Sequence, residues 1–445
     1  MSNFQNRREF LKKLGTLSFV AAGTGAIFPS VSSGAFKKEN AEKVYAGNPN
    51  QQKLKIYNGK IITPFRIINE GTVVIVGDKI SEVGEGNIEV SGAKEIDAQG
   101  KYISPGFIDL HTHGGGGYDF LDGSVEAFLG AARAHAEHGT TAMFPTALSG
   151  DKQVLLQNID LYEKAAEQNN SGAQFMGLFL EGPYYSMDQK GAQDPRYIRD
   201  PNPEEYKEIL SYTSAIKRWD SAPEREGAME FAQYLLSQGV IPSLGHTDAI
   251  YEDVIEAYEN GFKIATHLYS AMNGVTRRNA FRRAGAVEAA YLIEGMFVEV
   301  IADARHLPPS LLELIYKIKG PDRICLITDA MRAAGEPPGE YILGPKDTGL
   351  RVIVEDKVAK LPDRTSFAGS VATTDRLVRN MVYKAGVPLD EAVQMASDTP
   401  ATAMRISDRK GSLVAGKDAD VIIFDEDIQV ETTIVGGKII YEGNS

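Results

Sequence analysis

The spacing of apolar and polar positions divides the chain into stretches with different rhythms. Residues 53–104 carry short β-type runs, "LKIYNG", "GTVVIVGDKISEVG" and "KEIDAQGKYI", punctuated by Gly, Asn and Asp. Short runs broken by turn formers predict strands joined by tight turns. Residues 411–445 return to the same style in "GSLVAGKDADVIIFDEDIQVETTIVGGKIIYEG". The two ends therefore predict one small β-sandwich domain built from both termini. Between them, over 105–410, strand-like runs ("FIDL", "TTAMFPTA", "FMGLFLEGP", "GVIPSLGHTD", "KIATHLYSA", "FVEVIAD", "RICLITDA") alternate with helical patterns such as "SVEAFLGAARAHAEHG" and "AIYEDVIEAYENG". Repeated β-then-α units over roughly 300 residues predict a (β/α)8 TIM-like barrel, with a doubly wound parallel sheet as the alternative.

The first 35 residues do not belong to this pattern. A charged start, an apolar stretch from about Leu14 to Phe28 and small residues up to Ala35 have signal-peptide architecture. The apolar stretch is short for a membrane span, and an uncleaved anchor is the main alternative. Arg7 and Arg8, followed by Glu9, Phe10, Leu11 and Lys12, resemble the twin-arginine export signal, with Asn6 where Ser or Thr is usual. The expected location is periplasmic or exported, without stable membrane insertion after signal removal, and cytoplasmic if the signal does not function. A polar linker, 36–52, follows.

Composition narrows the class. At 43% hydrophobic and 24% charged residues the chain can build a large core beside a small domain. A net charge of −13 with no basic, aromatic-interleaved stripe excludes a nucleic-acid binder. The single cysteine, Cys325, sits in an apolar run and reads as a buried small hydrophobe.

A barrel makes a demand on the sequence, because its working residues sit at the C-terminal ends of strands. The runs meet it. In "FIDLHTHGGGG", His111 and His113 share one side of a strand, since i and i+2 point the same way. Alone, the pair reads either as half a metal site or as polar residues capping a strand. Glu181, His246, His267 and Asp329 also end their runs. Six such residues at equivalent ends point to a metal centre at the barrel mouth. His and carboxylate ligands suit Zn²⁺, with Fe²⁺, Mn²⁺ or Co²⁺ as alternatives. Such an ion polarises a carbonyl and acidifies water, and a nearby carboxylate, with Asp329 the candidate, carries the proton. The implied chemistry is hydrolysis of an amide or related bond. His135 and His138, near the end of a helical stretch, read as helix-face or C-terminal residues. His306, after "FVEVIAD", reads as a mouth loop contacting substrate.

Taken in order, "SPGFIDLHTHG", "LEGPYYSMDQKGAQDP", "SLGHTDA", "ATHLYSAM" and "LITDA" resemble the N-acetylglucosamine-6-phosphate deacetylases of the amidohydrolase superfamily. The resemblance runs from about Lys53 to the C-terminus. It implies a barrel enzyme that removes acetate from an amino sugar, usually as a homodimer. By the same resemblance Glu181, His246 and His267 are the core metal ligands, Asp329 is the acid/base group, and His111 with His113 binds a second ion in some members. One or two ions follow, Glu181 bridging in the second case. The resemblance also assigns substrate contacts to Ala192 and Gln193, Ser270 and Ala271, His306, and Phe367, Ala368 and Gly369. It gives Arg278 a phosphate-binding role, often across the dimer.

Three departures qualify this. Gln193 stands where the family often has His, and Gln donates a hydrogen bond but carries no charge. The segment "TRRNAFRRAG", with Arg277, Arg278, Arg282 and Arg283, does not align cleanly with the usual Arg-Glu-Pro-Gly. Its guanidinium groups suit phosphate or carboxylate, or equally a solvated basic face. Family members are cytoplasmic, where sugar phosphates are found, so an export signal also admits an unphosphorylated N-acetyl amino sugar or an N-acyl amino acid as substrate. Dihydroorotate and isoaspartyl dipeptides are cleaved by related enzymes. The absence of a strand-end Lys, with Glu181 in its place, favours the deacetylases. An inactive, exported sugar-binding barrel is the non-enzymatic alternative.

Overall fold

The computed structural model describes residues 51–443. The expected export signal, 1–35, and all but the end of the expected linker, 36–52, lie outside them. Eight parallel strands, each followed by a helix, form the middle of the chain. They are β1 (Phe107–Thr112), β2 (Thr140–Leu148), β3 (Leu178–Glu181), β4 (Ile216–Ser221), β5 (Ile241–Leu244), β6 (Ile264–Ala265), β7 (Phe297–Val300) and β8 (Ile324–Leu326). Successive strands pair from β1 to β8. A parallel bridge between Thr112 and Ala330 brings β8 back to β1, so the barrel closes.

The intervening helices are α1 (Val125–Ala136), α2 (Lys152–Gln168), α3 (Pro203–Tyr212), α4 (Ala228–Ser237), α5 (Tyr251–Glu259), α6 (Ala286–Leu292), α7 (Pro309–Lys319) and α8 (Thr374–Ala385). Local chemistry sets their starts. Ser124 accepts from the Ala127 N–H, Asp151 from Gln153, and Asn202 from Glu204 and Glu205 with Pro203 in the first turn. Each supplies an acceptor for a donor that the first turn leaves unpaired.

The expected β-sandwich takes the form of one continuous eight-stranded sheet. Strands within 53–105 are joined to strands within 421–442 by antiparallel pairing of Tyr102–Pro105 with Val421–Phe424. Ile56, Val73, Ile103, Val421, Ile423 and Ile434 from the two ends share one buried core. Two insertions leave the barrel. An antiparallel hairpin, Thr276–Arg278 with Phe281–Arg283, follows β6 and is exposed throughout. A three-stranded sheet, Gly339–Leu343, Leu350–Glu355 and Val358–Lys360, follows β8 and carries the loop 361–369 to the barrel mouth. Cys325 is free and buried in β8. Among the described residues no helix is long and apolar enough to cross a membrane.

Candidate metal centre

The six run-ending residues converge. His111 lies on β1 and His113 just past it, Glu181 closes β3, His246 and His267 follow β5 and β6 by two residues, and Asp329 follows β8 by three. All six are buried. Glu181 Oε1 lies 3.2 Å from His246 Nε2, 3.1 Å from His267 Nε2 and 3.6 Å from His111 Nε2. Its other oxygen is 3.4 Å from His113 Nε2. Asp329 Oδ1 is 3.1 Å from His113 Nε2 and 3.6 Å from His111 Nε2. Two ligand triads result, His111–His113–Asp329 and Glu181–His246–His267.

All four histidines turn Nε2 to the carboxylates. For two of them the opposite nitrogen is committed: His113 Nδ1–H donates to the Thr146 carbonyl at 3.2 Å and His246 Nδ1–H to the Gln189 carbonyl at 2.8 Å. A neutral imidazole protonated at Nδ1 presents an acceptor at Nε2. Acceptor nitrogens packed against carboxylate oxygens repel unless a cation lies between them. The titration directions show the same demand for positive charge among these groups, met by protons where no metal supplies it. Burial alone would raise the Glu181 carboxyl, but His111, His246 and His267 hold it well below its usual range. Burial would lower His111, yet Asp329 and Glu181 raise it well above. The donor set fits a divalent ion of borderline softness.

The backbone is strained where the ligands sit. His246 (φ 48°), His267 (φ 32°) and Asp329 (φ 47°) occupy the left-handed region, at a cost of about 1–3 kcal/mol each. Partners hold them there. The Asp329 N–H donates to the His111 carbonyl at 2.8 Å, and its carbonyl accepts from Ser370 N–H at 2.7 Å. The loop after β3 is tied to β5, since Asp248 accepts from Ser186 Oγ and Gln189 Nε2, both at 2.6 Å.

A cavity of about 570 Å³ opens above the triads. Of the residues expected at substrate, Ala192, Gln193, Ser270, Ala271, His306, Phe367 and Gly369 line it. His306 donates from Nδ1 to Asp303 at 2.9 Å, and its ring packs on Phe367 with centroids 4.6 Å apart. One expectation needs correction, and two others are made more particular. Ala368 is fully buried behind the wall and does not line the cavity. Arg278 lies on the exposed hairpin and does not reach the cavity of its own chain. Gln193 lines the cavity, but both ends of its amide are used by the protein: Oε1 accepts from Ser149 N–H at 3.0 Å and Nε2 donates to Glu181 Oε2 at 2.9 Å.

Other residues were not foreseen. Lys360 and Arg364 line the cavity from the inserted sheet, although "KLPDRTS" reads as an ordinary surface turn. Both are already paired, Lys360 with Asp356 at 2.7 Å and Arg364 with Glu355 at 2.9 Å. Beneath the triads Arg218 and Glu299 form a fully buried ion pair. His135 is structural: its Nε2 lies 2.9 Å from the Gly114 carbonyl. His138 pairs with Asp375 at 3.3 Å.

The model of the amidohydrolase family matches residues 102–440. The N-acetylglucosamine-6-phosphate deacetylase of Lysinibacillus sphaericus is 36% identical over 375 residues, 82% of this chain and 92% of that protein. Among solved structures, a mutant N-acetyl-D-glucosamine-6-phosphate deacetylase of Mycobacterium smegmatis in complex with N-acetyl-D-glucosamine-6-phosphate is similar at 30% identity. Its TM-score is 0.79, with 88% of this chain and 99% of that one covered. The N-acetylglucosamine-6-phosphate deacetylase of Pasteurella multocida is similar at 29% identity and a TM-score of 0.82, covering 88% and 100%.

Proposed function

The chain belongs to the amidohydrolase family and, within it, to the N-acetylglucosamine-6-phosphate deacetylases, and we propose from that premise that it hydrolyses the acetamide of N-acetylglucosamine-6-phosphate. The products are glucosamine-6-phosphate and acetate. The observation that carries the reading is the meeting of four imidazole Nε2 atoms and two carboxylates at the floor of a cavity of sugar size.

Glu181, His246 and His267 would hold one divalent ion, and His111, His113 and Asp329 would hold a second where two are bound. Zn²⁺ is the ion we favour, ahead of Fe²⁺, Mn²⁺ and Co²⁺. When bound, the metal supplies Lewis acidity, which polarises the acetamide carbonyl and acidifies water. Asp329 does the proton work. His111 and His113 outweigh its burial and keep its carboxyl below the usual range, so it starts ionised and takes a proton from the attacking water. Water oxygen bonds to the acetyl carbon, the C–N bond breaks, and Asp329 returns the proton to the departing amine. His306, fixed through Nδ1 by Asp303, offers its other nitrogen to the sugar, and Ser270 and Ala271 line the same cavity.

Recognition of a 6-phosphate would fall to Arg278 of a second protomer in a homodimer. A second reading, an unphosphorylated N-acetyl amino sugar, is favoured by one observation: within the chain, the cavity's Lys360 and Arg364 are already paired with acids. It also suits the export signal of residues 1–35, by which we place the protein in the periplasm. Acetate release by the zinc-loaded protein, compared between N-acetylglucosamine-6-phosphate and N-acetylglucosamine as kcat/KM, separates the two. Preference for the phosphate supports the first reading, preference for the free sugar the second, and no release from either refutes both.

A further inference from the structure

Arg218 and Glu299 have no part in the chemistry above. Arg218 leaves β4 and crosses the barrel interior. It donates to Ser243 Oγ (2.8 Å) on β5, to Thr266 Oγ1 (2.8 Å) after β6 and to Glu299 on β7. Its guanidinium lies over the Phe179 ring of β3, 3.9 Å from the centroid. Both charges are wholly buried. Such pairs cost several kcal/mol of desolvation per ion and are often replaced by apolar residues without loss of stability. A barrel interior is ordinarily packed with branched aliphatics, so stability alone gives little reason for a charged pair there.

The unpaired atoms supply one. Glu299 Oε2 has no hydrogen-bond partner, and neither has His111 Nδ1. They face one another at 3.5 Å. Phe179 packs edge-on against His111 at 5.0 Å and fixes the plane of its ring. His113 and His246 have backbone carbonyls at Nδ1, whereas His111 has only this carboxylate.

We propose that Glu299 is a positioning residue for His111, holding its proton on Nδ1 so that Nε2 faces the His113–Asp329 triad, with Arg218 holding Glu299 in register. The pair then sets whether the chain retains an ion at the second triad. This rests on the reading of the triads as a metal centre. Partners of metal-bound histidines typically change metal affinity about 10–100-fold when removed.

The test is zinc affinity, read by competition with a chromophoric chelator, with metal content counted alongside. Glu299→Gln alone leaves Arg218 without its counter-charge and risks misfolding, so paired variants are used. Arg218→Met/Glu299→Leu keeps volume and removes the acceptor. Arg218→Met/Glu299→Gln keeps an amide oxygen for Nδ1–H. The first is expected to bind one of two zinc ions about 10–100-fold more weakly and the other unchanged; the second stays close to wild type. Two zinc ions held with wild-type affinity in both variants, or lost equally in both, would overturn the proposal, as would a wild type whose single ion neither variant disturbs. A wild type that holds no zinc instead sinks the metal reading beneath it.

Discussion

Gln193 gives the sharpest test of how the site is built, because family resemblance and structure assign it different work. Resemblance places it against the substrate. In the structure its Nε2 donates to Glu181 Oε2 at 2.9 Å, and its Oε1 takes the Ser149 N–H. Gln193→Ala removes a hydrogen bond to an ionised carboxylate, worth about 1.5–3 kcal/mol. At 1.36 kcal/mol per decade that is about 10–150-fold. The loss falls on whatever depends on the orientation of Glu181. Zinc should leave the variant that much more readily in chelator competition. At saturating zinc KM should stay near wild type, and kcat should fall as Glu181 loosens. A KM that rises tenfold or more while zinc affinity is unchanged would refute the reasoning and return Gln193 to the substrate.

Asp329→Asn should lower kcat by about 10²–10⁴ while zinc stays bound, because Asn keeps an oxygen near the triad but takes no proton; an unchanged kcat removes Asp329 from the mechanism. Arg278→Ala should lower kcat/KM for the 6-phosphate and leave the free sugar untouched if a second protomer delivers that side chain; equal effects on both sugars would leave it a surface role. Phe231 is fully buried among Tyr184, Tyr206 and Trp219, and Phe231→Ala should cost about 3–5 kcal/mol in urea unfolding. Burial lowers Lys319 from 10.5 to about 8, while its ammonium donates to the Ala290 and Ile293 carbonyls. Between those values the unfolded chain binds more protons than the folded one, so stability rises with pH across the window. Lys319→Met should flatten that rise in urea titrations from pH 7 to 10, and identical slopes would disprove it.

What could be read in the chain follows from where burial leaves a periodic trace. Runs such as "FIDL" and "RICLITDA" are apolar because both sides of a parallel barrel strand are covered, and the polar residues ending them stood out by contrast. β4 gave no such trace. In "IKRWDS" only Lys217 is exposed, while Arg218 and Asp220 are buried. A charged residue inside a barrel looks, in one dimension, like a charged residue on a surface. The left-handed backbone of His246, His267 and Asp329 is equally silent, because none of these residue types announces that conformation as Gly would.

The same argument explains the error at Ala368, which was placed by its neighbours in a motif, and motifs give position along the chain, not direction of a side chain. The hairpin carrying Arg278 begins nine residues past His267, far enough to leave the mouth altogether. Lys360 and Arg364 arrive from an inserted sheet about thirty residues beyond Asp329 and enter the cavity wall already neutralised by Glu355 and Asp356. An anionic substrate must therefore either draw these cations away from their acids or meet a charge from outside the described residues. The first course exchanges one exposed ion pair for another and gains little. In the second, if that charge is Arg278 of the proposed homodimer partner, phosphate recognition depends on assembly, and kcat/KM for the phosphorylated sugar should fall on dilution below the dissociation constant of that proposed dimer while that for the free sugar holds. Equal values at all concentrations would place phosphate recognition, if it occurs, within the single chain.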